Sequence, residues 1–200
     1  VTEPAAAAAA VPSPADPLAL TAECLERNDP RAAALHLEDY VRAHPDQPLF
    51  RLQLADLYVR CEQLAAAKFQ YERFVGEAQG GPPALAPQVV TAHTKLMEIA
   101  QRRNDRFGEL FHRGVGLFLL VKQMDADPEA DKDFCEEMLC KAQKALAEAK
   151  DLKPRDSLVR VYLAEVYQRA GNRHAADAER TGARSDPVGG ARTGFEWPVP

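Results

Sequence analysis

Isoleucine occurs once in this chain, at Ile99, and tryptophan once, at Trp197. With few β-branched residues against heavy use of Ala, Leu, Glu and Arg, sheet is disfavoured and helix favoured throughout. A basic surplus is missing as well. The net charge of −5 leaves no electrostatic footprint for nucleic acid or anionic lipid. Apolar runs such as Val115 to Val121 fall far short of the roughly 20 residues that span a bilayer. The N-terminus has neither a basic n-region nor a hydrophobic h-region, so no signal peptide is visible, although the chain opens at Val1 and upstream removal stays open. The four cysteines (Cys24, Cys61, Cys135, Cys140) show no framework spacing, and Cys24 and Cys61 fall on apolar helix faces. Reduced thiols and a cytoplasmic setting are the expectation.

Chemical motifs are absent too. No CxxC or HxxxH occurs, the five histidines are scattered, and Gly80-Gly81 lacks the Lys-Ser/Thr of a phosphate loop. Asp125, Asp127, Glu129, Asp131 and Asp133 alternate in a manner suggestive of calcium ligands. No glycine stands at the turn position, however, and Glu136 and Glu137 follow at the wrong offset, so a solvated acidic loop is expected. No acid–base pair and no nucleophile with a base stands out. The expectation is a protein without catalytic residues, metal or cofactor.

What is present is a period. Leu20, Thr21, Cys24, Ala33, Leu37 and Tyr40 return 34 residues later as Leu54, Ala55, Tyr58, Ala67, Tyr71 and Phe74. The second copy reads Leu54-Ala55-x-x-Tyr58 and then Ala67-x-x-x-Tyr71. A further copy reads Leu163-Ala164-x-x-Tyr167, with Gly171 ending a helix, Asn172 capping the next and Ala176 at the packing position. In this pattern the chain resembles the tetratricopeptide repeat family, over most of residues 14–187. The fold implied is all-α, a short right-handed α-solenoid of about four helix-turn-helix repeats, the third expanded.

Along the chain, residues 1–16 are an Ala/Pro-rich leader with little to bury. A helix from Pro17, a second opened by Asn28-Asp29-Pro30, a third capped by Asp46 and a fourth from Leu64 make two repeats. Gly80-Gly81-Pro82-Pro83 breaks the pattern before an extra helix at about 87–104. Asn104-Asp105 either caps a new helix or lies within one long helix to Lys122. Gly114 and Gly116 inside that apolar segment point to a close helix–helix approach. Its His112-x-x-Val115-Gly116-x-x-Leu119 pairs best with Ala142-x-x-x-Leu146-x-x-Ala149, leaving the acidic loop 124–133 as an insertion and Asp133 as the next cap. The alternative pairs the extra helix with 105–124 and sets Glu109 at the small-residue position, which disfavours it. A fourth repeat covers about 157–187. The repeat domain is thus 17–187, followed by a tail, 188–200, whose Phe195 and Trp197 can dock into a groove of the array or of a neighbour.

The resemblance implies a binding surface on the exposed turns of each first helix. The matching positions are Leu52, Asp56, Val59 and Arg60 in repeat two and Val161, Glu165, Gln168 and Arg169 in repeat four, with Leu18, Ala22, Leu25 and Glu26 in repeat one. Lys and Asn, which clamp a terminal carboxylate in chaperone-binding members, are absent from these positions. An extended or helical peptide with mixed contacts fits better. The expected function is a non-catalytic scaffold holding a protein or peptide on its concave face, with no nucleic acid and no membrane span. The alternatives are an accessory or tethered domain of a larger system, or an enzyme with an unrecognised site. The high Ala, Arg and Pro content hints at a GC-rich bacterial genome.

Overall fold

The computed structural model describes residues 16–78, 82–125, 127 and 129–185. The Ala/Pro-rich leader up to residue 15, the Gly80-Gly81 break and the tail with Phe195 and Trp197 lie outside the described residues. Among those described, every regular element is helical: α1 (Pro17–Glu26), α2 (Pro30–Ala43), α3 (Leu49–Arg60), α4 (Leu64–Ala78), a 3-10 turn (Pro83–Leu85), α5 (Ala86–Arg102), α6 (Arg106–Met124), α7 (Lys132–Leu152), α8 (Ser157–Arg169) and α9 (Arg173–Arg184). The chain divides into two compact units, residues 1–67 and 68–200, with the division inside α4.

One turn recurs four times. Each of α1–α2, α3–α4, α5–α6 and α8–α9 is joined by three residues, 27–29, 61–63, 103–105 and 170–172. The middle residue is left-handed in every case: Asn28 at φ 56°, Glu62 at 61°, Asn104 at 55° and Gly171 at 77°. The residue after it donates its N–H to the carbonyl five residues back: Asp29 to Cys24 (2.9 Å), Gln63 to Tyr58 (2.8 Å), Asp105 to Ala100 (2.9 Å) and Asn172 to Tyr167 (2.9 Å). This closure satisfies a carbonyl at the end of the first helix. Asp29, Asp105 and Asn172 then cap the second helix, accepting from the backbone N–H of Ala32, Gly108 and Ala175. The fold is a tetratricopeptide-like helical repeat.

In the unit of residues 1–67, α1 packs on α2 and α2 on α3. The core holds Ala33, Leu37 and Val41 of α2 with Leu54, Ala55, Leu57 and Tyr58 of α3. Tyr58 donates its hydroxyl to Glu38 across the helices (3.0 Å), and Tyr40 donates to Gln47 while its ring meets Phe50 edge-on. The expected Asp46 cap is not made. The five-residue connection 44–48 runs on to Pro48, and α3 begins at Leu49 without a side-chain cap.

In the unit of residues 68–200, α6 packs on α5 and on α7, and α8 pairs with α9. The recurrent turn separates the two partners of α6. The α5–α6 connection has it, while the connection between α6 and α7 is longer, seven residues, 125–131. The hairpin disfavoured on sequence, with Glu109 at the small position, therefore forms, and the expected packing of α6 on α7 forms beside it. Glu109 fits because its carboxylate reaches out to Gln101 of α5 (3.1 Å) and to Arg106 and Arg113 on its own helix. The Gln101 amide first, then the two guanidiniums, hold that carboxyl below its ordinary range. Asp131, not Asp133, caps α7, accepting from Phe134 N–H at 3.1 Å. The core joins Phe111, Val115 and Phe118 of α6 to Ala142, Leu146 and Ala149 of α7 and to Val159, Leu163 and Val166 of α8. Gly114 is the close approach. A β-carbon there would lie 2.6 Å from Leu146 Cγ and 3.2 Å from the Ala142 carbonyl oxygen. Gly116 is not, since its nearest neighbour, His93 Cβ, would be at 3.5 Å.

Candidate functional site

A first helix that buries one stripe leaves the opposite positions of its last two turns outward. Counted back from the left-handed turn residue, the same four places recur on each first helix. On α3 these are Leu52 and Val59, both half-buried, and Asp56 and Arg60, both exposed. Arg60 makes no ion pair or hydrogen bond among the described residues, whereas Asp56 is engaged. On α1, Leu18 is half-buried, and Ala22, Leu25 and Glu26 are exposed.

On α8 the matching residues are already occupied. Val161 is 7% exposed and belongs to the interior. Glu165 and Gln168 both face Arg180 of α9, at 3.7 and 3.1 Å. Arg169 pairs with Asp125, at the start of the acidic loop. Arg60 and Arg169, equivalent by position, thus differ in circumstance. One guanidinium is free among the described residues and the other is held.

Counting from the turn also finds a row that the sequence reading passed over. On α5 the equivalent places are Thr94, Glu98, Gln101 and Arg102, all exposed. The signal was the Asn104-Asp105 pair, which repeats Asn28-Asp29 in type and in conformation.

The acidic loop is consumed by local structure. Asp125 holds Arg169, Asp127 accepts from Glu129 N–H (3.0 Å), and Asp131 caps α7. Beside it lies a cleft of about 520 Å³ bordered by Met124, Asp125, Lys132, Cys135, Leu139 and Arg169. Among the described residues no three His, Cys, Asp or Glu side chains converge to hold a metal ion, and no helix is long and apolar enough to cross a membrane.

No protein-family model matches the chain, and no curated protein matches it in sequence. Among solved structures, the chain is similar to a thermophilic TPR protein of Thermus thermophilus, at 17% identity over 86% of this chain and 73% of that one, with a TM-score of 0.41. A MamA protein aligns at 14% identity over 92% and 96%, with a TM-score of 0.41. A tetratricopeptide repeat protein of Parabacteroides merdae aligns at 15% over 85% and 78%, with a TM-score of 0.32. The repeat architecture stands on the helix pairs of the chain itself.

Proposed function

We propose that the chain is a non-catalytic protein-interaction scaffold that holds an extended or helical segment of a partner along its first helices. One observation carries this reading. The same turn closes four hairpins, and on α1 and α3 it leaves an outward row of mixed apolar and charged side chains at the same places. Helical repeats use such rows because successive helices offer a ligand equivalent contacts without any one of them having to be strong. The guanidinium of Arg60, free among the described residues and on the same row as Val59 and Leu52, suits a segment that brings a carboxylate or an aromatic ring near an apolar residue. On α8 the ties to Arg180 and Asp125 remove most of that capacity, so the contacts are assigned to α1 and α3. A cytoplasmic location fits the unpaired cysteines.

The test is capture of partners from the native host with the full chain, followed by titration of the purified partner. Arg60→Ala with Leu52→Ala is expected to weaken binding by about tenfold or more, as loss of a central contact does. Phe69→Ala, an exposed change on the second helix α4, leaves binding unaltered. Equal loss from both variants, or from neither, would remove the first-helix row as the contact surface.

A further inference from the structure

Two of the histidines that look scattered in sequence meet inside the α5–α6 hairpin. His93 is 2% and His112 8% exposed, and their Nδ1 atoms lie 3.1 Å apart. At that distance one ring donates its Nδ1–H and the other accepts, with its own hydrogen on Nε2. The Nε2 of His93 is buried without a partner in either arrangement. Among the described residues no third ligating side chain joins the two rings.

The surroundings admit the neutral pair only. Phe111 meets His112 edge-on, and the Cβ of His93 faces Gly116. From α4 the charged group that acts on His112 is Lys68, a cation. Among the described residues no carboxylate acts on either ring from α4 or from α7 and α8, which pack on or beside α6. A first added proton goes to the Nε2 of the donating ring and places an imidazolium in this site. A second puts N–H against N–H and abolishes the bond.

We infer that His93 and His112 make the α5–α6 hairpin acid-labile: the pair holds while both rings are neutral, and its protonation in mild acid opens the hairpin. Burial supports the direction. It lowers His93 to about 4, and burial, with His93 and Lys68 adding to it, takes His112 well below its ordinary value. In the unfolded chain both rings titrate near 6.5. The folded hairpin therefore binds fewer protons than the unfolded one in this window, so stability is full above about pH 6.5 and is lost as the pH falls toward 4.

Amide hydrogen exchange on the full chain, corrected for the intrinsic pH dependence, measures the effect. Between pH 7.5 and 5, protection in α5 and α6 is expected to fall by about 30-fold from His93 alone, while α8–α9 holds. Imidazole nitrogen NMR should find both rings neutral at pH 6. The double variant His93→Leu/His112→Leu, which replaces both partners by apolar groups, should lose the pH dependence of α5–α6. An imidazole of the pair titrating near 6.5 with α5–α6 still protected would overturn the inference, as would the same pH dependence in the double variant. If that variant does not fold, the NMR titration of the unaltered protein decides alone.

Discussion

The guanidinium of Arg160 occupies the space that a side chain at Gly182 would need. A β-carbon there would come within 2.6 Å of Arg160 Nη1. Arg160 is held in that place by Glu179 (2.9 Å) and by the Pro154 carbonyl, and Lys150 completes the set with 2.6 Å to the other Glu179 oxygen. Three helices, α7, α8 and α9, are joined through one carboxylate that is 8% exposed.

Glu179→Ala leaves two partly buried cations without their anion, and a loss of about 1–3 kcal/mol is expected, below the fully buried case because both cations retain some water. Gly182→Ala is expected to cost stability in the natural background by dislodging Arg160. In the Glu179→Ala background Arg160 can swing away, and the helix-propensity gain of about 0.5–1 kcal/mol should then emerge. Urea melts of the four proteins of this cycle check it. Strict additivity would mean that the Pro154 carbonyl keeps Arg160 in place without Glu179.

Gly114 and Gly116 respond with opposite signs. At Gly114 the new methyl meets Leu146 and the backbone of Ala142, so Gly114→Ala should destabilise by about 1–3 kcal/mol. At Gly116 the contact is ordinary, and Gly116→Ala should stabilise by about 0.5–1 kcal/mol. Thermal melts that rank the two variants in the other order would contradict the packing described.

Ala67 and Ala164 are both fully buried. Replacing either by Leu should overpack the helix contact and cost about 1–3 kcal/mol. Glu72→Gln, at the surface, should change little. An unchanged melting midpoint in both Leu variants would mean that these positions do not lie between helices.

Arg60→Ala and Arg169→Ala, paired on sequence grounds, are expected to part company. Arg60→Ala should leave the melt unchanged and reduce partner affinity. Arg169→Ala should remove the ion pair with Asp125, worth about 0–1 kcal/mol at this exposure, and raise hydrogen exchange at Asp125 and Asp127. Identical behaviour of the two single variants in both assays would argue against the distinction drawn between them.

The α3–α4 and α8–α9 hairpins were legible because residue type and place coincide in them: Ala55 with Tyr58, Ala164 with Tyr167. On α5 the same two places hold Met97 and Ala100, with small and large exchanged. The combined volume is close, but a template of residue types misses it, and the shared backbone turn is what reveals the hairpin. The paired histidines, 19 residues apart, and Lys150 with Glu179, 29 apart, were out of reach for another reason. Such partners depend on how one helix is set against another, and period alone carries no such information. Positions on a helix face were readable, but their occupancy was not: Arg169 looked as free as Arg60 until the loop before α7 was placed.

The four three-residue connections bear on how the chain reaches this structure. Each hairpin closes with contacts that lie near one another in sequence, the condition under which folding is fast and can begin at any repeat. Glu62 is the exception in chemistry, being the one non-Asn, non-Gly side chain among these four turns required to take the left-handed conformation. Closing α3–α4 thus carries a local penalty that the other three hairpins avoid or soften. Closure of this hairpin should therefore be eased by substituting one exposed glutamate, with no buried side chain altered.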